Sequence, residues 1–338
     1  WAQSPIPNPQ SPIPNPQIFI FIYLSLINFQ QLNKKNFLSY AQNNNIYLNE
    51  NINIQNYSFG LIAQKCTYCG LLSIYTKNLK CALSSIKNGI IPIIDLTSTP
   101  NIFNKFNKTS LKKNPWEIYF NQPYGFSLNE VKSKSKNIVP IECRHFYHRD
   151  FDQIYTNSFF RKFWSNLSQK YYPVKNEIIM KAEHIKSKLF QYSNNILGVL
   201  MRGTDFISAK PKNHYIPPTC EIVFKDIINM DQKNKYDYIF IATEDNNIRK
   251  KFINRFKNKI KYYTYRKEIK YDYKKKHLLA SNPNVNSNFE FLKIYLINII
   301  ILSKCLDLLS AKTNGAIAIF LFSKGFRFSK VYDLGSYK

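Results

Sequence analysis

The feature that most constrains the fold is the regular alternation of the second half. From residue 196 onward, apolar runs short enough for buried strands are separated by stretches of helical period. The strands read as ILGVLM (196–201), YIFIA (238–242), KIKYYT (259–264), LDLLS (306–310) and FSKVY (328–332). Between them, Thr219 can cap a helix predicted over 220–229. A second helix is predicted over about 245–257, with Ile248, Phe252 and Phe256 on one face, and a long apolar one over about 289–304. Strands joined by helices require a parallel sheet with helices on both faces.

The first half carries one such unit, beginning near Tyr57. A strand leads to a turn at Gly70, then to a helix bearing Ile74, Leu79, Ala82 and Ile86. Asn88-Gly89 closes that helix before the buried run IIPIID (90–95). Residues 100–150 are aromatic and turn-rich, and 151–192 read as mostly helical. Within them Ile178, Ala182, Ile185 and Leu189 form one stripe, and the helix is expected to end near Asn194-Asn195. With 338 residues, 44% of them hydrophobic, the chain can bury a sizeable core, and two domains are favoured over one. The heptad SPIPNPQ (4–10), repeated at 11–17, and the Asn-rich stretch after it make residues 1–56 a Pro/Asn-rich, poorly ordered lead.

Charge and cysteines narrow the function. The formal charge is +27, from 48 Lys and Arg against 21 Asp and Glu, which favours anionic partners. The lysines are scattered, with no block of five or six basic residues, so no nucleic-acid tail is present. The tightest cluster is Lys274–Lys276, preceded by Lys267 and Lys270. A basic nucleic-acid binder is the third functional class considered. Tyr262, Tyr263, Tyr265 and Tyr271 among lysines come nearest to it, but no binding motif accompanies them, and nucleic acid is not expected as a partner. Cys66 and Cys69 form one CxxC. With only Cys143, His145 and His148 as further ligands at no standard spacing, a metal is not expected. The cysteines read as reduced thiols of a cytoplasmic protein. IFIFIYLSLI (18–27) falls short of the roughly 20 residues of a membrane span and lacks signal-peptide flanks. It reads as a strand or a segment resting on a membrane surface.

The chemistry gathers where strands end. GVLM runs into Arg202-Gly203-Thr204-Asp205, YIFIA into Thr243-Glu244-Asp245, and LDLLS, through Ala311, into Lys312-Thr313-Asn314-Gly315. Ligands of open parallel sheets bind beyond the carboxyl ends of the strands. The third cluster also opens a helix, whose free N–H groups suit an anion. An arginine fork pairs bidentately with phosphate oxygens. Structural readings compete with these: Thr243, Asp245 and Asn246 serve equally as helix caps, and Thr313-Asn314-Gly315 as a turn. His214 lies in the loop after the arginine, and Gly70 and Ser73 lie at the matching strand-to-helix turn of the first half. Asp95, Glu117 and Asp205 are the candidates for a general base.

GVLMRGTD, KPKNHYIPP (210–218), IFIATEDNNI (239–248) and LSKCLDLLSAKTNG (302–315) resemble the α-1,2/α-1,6/protein-O-fucosyltransferase superfamily, nearest to its bacterial members in surface-polysaccharide clusters. GLLS (70–73), NGIIPIIDL and NPWEIYFNQPYGFSLNEV (114–131) fit the same group, and the likeness runs over roughly 57–325. The superfamily signature is His-x-Arg-Arg-x-Asp, and its first arginine, which holds the donor β-phosphate, corresponds to Arg202. The resemblance implies a GT-B-like α/β fold of two Rossmann-type domains with a central cleft and no required metal or cofactor. An acceptor-side domain would cover 57–190 and a nucleotide-sugar domain 191–338. It implies transfer of a sugar from a nucleotide diphosphate, GDP-fucose in the superfamily, to a glycan or lipid-linked glycan, in the cytoplasm and at the inner face of the membrane.

On that reading Arg202 and Asp205 are catalytic. Gly203, Thr204, His214, Glu244, Asp245, Thr313, Asn314 and Gly315 bind the donor, and Gly70, Ser73 and Asp95 line the acceptor cleft. The sequence departs from the signature at Leu200, where the histidine would stand, and at Gly203, where the second arginine would. It also departs at Asn298, where the α-1,6 enzymes have an aspartate contacting the donor. These departures leave the base and sugar open and motivate the alternative of a catalytically decayed nucleotide- or glycan-binding protein.

Overall fold

The computed structural model describes residues 54–63, 65, 69–103, 113–141, 148–208, 210–264 and 285–338. The Pro-rich repeat, segment 18–27, Cys66, Cys143, His145, Tyr265, Tyr271 and the lysines at 267–276 lie outside the described residues, as do the side chains of His148 and Asp205.

The first half holds β1 (Phe59–Ile62), α1 (Leu71–Lys87), β2 (Ile91–Ile94), α2 (Trp116–Tyr119), α3 (Leu128–Lys134) and β3 (Ile138–Pro140). Its sheet has the order β2-β1-β3, with both pairings parallel. Asn88 and Gly89 end α1 as expected: their N–H groups return to Ser85 and Ile86, and Gly89 takes φ +69. Ser127 and Glu130 close a reciprocal capping box at α3. Next come α4 (Ser158–Tyr171) and α5 (Asn176–Phe190), the latter with Ile178, Ala182 and Ile185 inward. α5 stops earlier than the sequence suggests because Gln191 and Tyr192 turn left-handed, at φ 49 and 66, without a glycine to mark the place.

The second half holds β4 (Ile196–Leu200), α6 (Asp205–Ser208), α7 (Cys220–Asn234), β5 (Tyr238–Ala242), α8 (Asn246–Phe256), β6 (Ile260–Lys261), α9 (Val285–Leu302), β7 (Asp307–Ala311), α10 (Asn314–Phe322) and β8 (Phe328–Tyr332). The sheet order is β6-β5-β4-β7-β8, all parallel. The chain winds one way through β4, β5 and β6, then crosses back to β7 and β8, so the strand order reverses between β4 and β7. α7 runs past the expected residue 229 because its last turn is polar and carries no stripe. KIKYYT yields a strand of only two residues.

Period-two alternation divides the cores. Ile196, Leu200, Phe240, Ala242 and Leu308 face one cluster, while Leu197, Val199, Ile239, Ile241 and Leu309 face another. The first cluster is shared with the first half: Ile62, Ile94, α1, α4, α5, α9 and α10 pack into it around Trp116, Tyr75, Phe120 and Tyr172. The expected mixed α/β architecture on parallel sheets is what the chain adopts.

One expectation is corrected. Cys69 and Cys81 each take part in a disulfide, whereas Cys220 and Cys305 are free and buried. Six cysteines without secreted-type spacing gave no sign of this, since bridge formation depends on which positions meet in space. Among the described residues, no helix is long and apolar enough to cross a membrane.

Candidate functional site

In a doubly wound sheet the crevice opens at the carboxyl ends of the two strands where the order reverses. Those strands are β4 and β7, with Leu200 paired to Ser310. Arg202 follows the first, and Lys312 to Gly315 follow the second.

The segment after β4 is wrapped around the acidic pair after β5. Glu244 Oε1 accepts from the Gly203 N–H at 2.8 Å and the Thr204 hydroxyl at 3.1 Å, and lies 3.2 Å from Arg202 Nη1. Asp245 Oδ2 accepts from the Thr204 N–H at 3.1 Å, while its Oδ1 caps α8 through Asn247 and Ile248. Both acids are thus engaged by the protein itself. A β-carbon on Gly203 would sit 2.5–2.9 Å from Asp245 side-chain atoms, so the wrap requires glycine there. Thr204 is held at φ 43, a left-handed conformation that a β-branched residue avoids, by these two carboxylates. Glu244 is 10% exposed and Arg202 24%, so the guanidinium is oriented from beneath yet reaches the surface of the crevice. Its other face lies over the Phe206 ring at 4.7 Å, and that ring meets the His214 ring edge-on at 5.3 Å. Phe206 therefore links Arg202 to His214. No sequence pattern singles it out, because one aromatic in a loop has no period.

Across the crevice, Thr313 caps α10 by accepting from the Ala316 N–H at 3.2 Å. The helix itself supplies no acceptor for the N–H groups of Asn314 and Gly315. Leu200 borders this end: its Cδ2 lies 3.3 Å from where a Gly315 β-carbon would be. The Tyr295 hydroxyl of α9 also lies against Gly315. Asn298, one turn further along α9, is 8% exposed. Its Nδ2 donates to the Tyr263 carbonyl at 2.9 Å, and its Oδ1 has no partner among the described residues.

Lys312 ties the surroundings together. It is 8% exposed, pairs with Asp152 at 2.9 Å and Asp333 at 2.8 Å, and sits 4.3 Å from the Tyr215 ring centre. Burial alone would lower its pKa, but the bonds to Asp333 and Asp152 outweigh it and hold the ammonium above its ordinary value. Tyr215 donates to Asp152 as well. The His214 loop pairs with the chain end, Tyr337 N–H to the His214 carbonyl and Ile216 N–H to the Gly335 carbonyl.

The first half meets the site through α1. The Thr76 hydroxyl, one turn beyond Ser73, reaches Asn314 Oδ1 at 3.0 Å. Gly70 and Ser73 form the amino end of that helix, and a β-carbon on Gly70 would meet nothing within 4 Å. Asp95 is not brought to this group. It is 1% exposed, accepts from Thr97 and Ser98, and pairs with Lys132 at 2.7 Å. Burial pushes its carboxyl up, but the bonds from Lys132 and Thr97 win and hold it below the usual value. Glu117 is similarly spent on Gln122 and the Leu128 N–H.

No family model matches the sequence, and neither does any curated protein. Among solved structures, the α-1,6-fucosyltransferase NodZ co-crystallised with GDP is similar over 79% of this chain and 93% of its own, at 10% identity and TM-score 0.47. NodZ from Bradyrhizobium is similar over 75% and 88%, at 11% identity and TM-score 0.41. POFUT1 in complex with GDP is similar over 81% and 98%, at 8% identity and TM-score 0.44.

Proposed function

We propose that the chain is a glycosyltransferase that moves a sugar from a nucleoside-diphosphate donor to a hydroxyl of a glycan or lipid-linked glycan. The observation that carries this is Arg202, held by Glu244 after β4 where the strand order reverses, with the amino end of α10 following the neighbouring strand β7. In the transfer, the bond from the anomeric carbon to the diphosphate oxygen breaks, and its electron pair leaves with the diphosphate. The acceptor oxygen bonds to the anomeric carbon and loses its proton. Charge growing on the leaving group is met by the guanidinium and by the N–H groups of Asn314 and Gly315, already in place before reaction. Glu244 and Asp245 act through the loop they hold, rather than on the donor. The sequence resemblance names GDP-fucose as the first donor to try.

On this reading residues 57–190 form the acceptor side and 191–338 the donor side, with Gly70 and Ser73 lining the cleft between them. The positive excess suits peripheral attachment to an anionic membrane that carries lipid-linked acceptors. The disulfides of Cys69 and Cys81 favour an oxidising compartment for that membrane face over the cytoplasm.

A second reading, binding without turnover, is favoured by Leu200, an apolar side chain at the edge of the anion site where the signature has histidine. Release of nucleoside diphosphate from GDP-fucose and a panel of UDP-, dTDP- and CDP-sugars separates the two. The enzyme reading expects release from one donor, reduced about a hundredfold or more in Arg202→Lys. Binding with no release from any donor supports the second reading. Full activity in the variant overturns the assignment of Arg202.

A further inference from the structure

The last turns of α9, Ile294 to Leu302, are apolar except for Tyr295 and Asn298, which share a face three residues apart. The Tyr295 hydroxyl lies so close to Gly315 that a β-carbon there would collide with it. It makes no hydrogen bond with any described residue. The residue is only partly buried, which leaves the hydroxyl open to a partner from outside the protein. Arg202 and Glu244 are near enough for their charges to act on it in opposite directions. Burial, the largest influence, pushes its pKa to about 12, so at neutral pH it remains a proton donor. Nearby on the same helix face, Asn298 Oδ1 is a second polar atom that the protein leaves unmatched. Gly315 thus has a reason to be glycine: the first turn of α10 must accept a hydroxyl where a side chain would otherwise stand.

We propose that the Tyr295 hydroxyl donates a hydrogen bond to the diphosphate of the donor, beside Arg202 and the amino end of α10, and so makes a direct contact with the leaving group. This rests on the reading of the crevice as a nucleoside-diphosphate site. The guanidinium, the helix N–H groups and the phenol all supply donors, which suits a ligand rich in acceptor oxygens. The bond strengthens as the leaving oxygen gains charge, because hydrogen bonds to ions are stronger than neutral ones.

The test is calorimetric, on the full chain, with GDP, UDP, dTDP and CDP and the monophosphate of each, titrated into the wild type, Tyr295→Phe and Arg202→Lys. Tyr295→Phe removes one oxygen and keeps the ring, and its folding is checked by thermal melting. The expected result is about tenfold or greater weakening toward the diphosphate that binds, with affinity for its monophosphate little changed. A second check concerns placement alone. Gly315→Ala lowers the melting temperature in the wild type but by less in Tyr295→Phe, where the obstructing oxygen is gone. Undiminished diphosphate binding by Tyr295→Phe, with Arg202→Lys weakened, overturns the inference and leaves the site reading standing. Equal weakening toward monophosphate and diphosphate also overturns it. Binding of no nucleotide by the folded wild type overturns both.

Discussion

Gly203 and Asp95 show what single residues do here. Gly203 lets the chain after β4 close over Asp245, whose carboxylate is pinned by three backbone N–H groups and cannot yield. Gly203→Ala is therefore expected to cost about 1–3 kcal/mol, read from denaturant unfolding, and to disturb Arg202 with it. Asp95 is a carboxylate whose folded pKa lies below its ordinary value, so it contributes stability above the usual carboxylate range and loses it as pH falls through the folded value. Asp95→Asn is expected to cost about 1–3 kcal/mol at neutral pH, with the penalty shrinking in acid. A penalty independent of pH would contradict that account. A carboxylate so engaged is also a poor proton acceptor, which weighs against Asp95 as general base.

At the scale of elements, two caps matter more than the lengths of the helices. Thr313 fixes the start of α10, and Asp245 fixes the start of α8 while holding Thr204. Thr313→Ala is expected to cost about 0.5–2 kcal/mol. Asp245→Ala should cost more, because it also frees Thr204 from its left-handed conformation. Thermal melts of the two variants side by side check the order. The Asp245 cap was legible in the sequence, as were the strands of the second half apart from the extent of β6, since apolar runs and polar punctuation are local signals; Thr313-Asn314-Gly315 read as a turn opening a helix rather than as a cap. Arg202 could be read for the same reason: it stands at the end of a buried strand. What Glu244 does was not legible, because its contacts with Gly203, Thr204 and Arg202 join residues about forty positions apart. Phe206 and Tyr295 were missed likewise, and Lys312 was read in its cluster but not its ties to Asp152 and Asp333, since such contacts arise only when separate elements meet.

For the whole molecule, the core that α1, α4, α5, α9 and α10 share makes the two sheets one packed body, and Lys312 adds a polar tie among Asp152, Tyr215 and the chain end. Lys312→Met is expected to raise hydrogen exchange at 213–216 and 335–337, the segments that pair beside it, before it affects the sheets. The central claim, that the crevice between β4 and β7 holds a nucleoside diphosphate through Arg202, is tested most directly by titrating GDP, UDP, dTDP and CDP into the folded wild type and into Arg202→Lys. Saturable binding of one of them, weakened at least tenfold or so when the fork is replaced by a point charge, is the expected result. No saturable binding, or equal affinity in the two proteins, would contradict it.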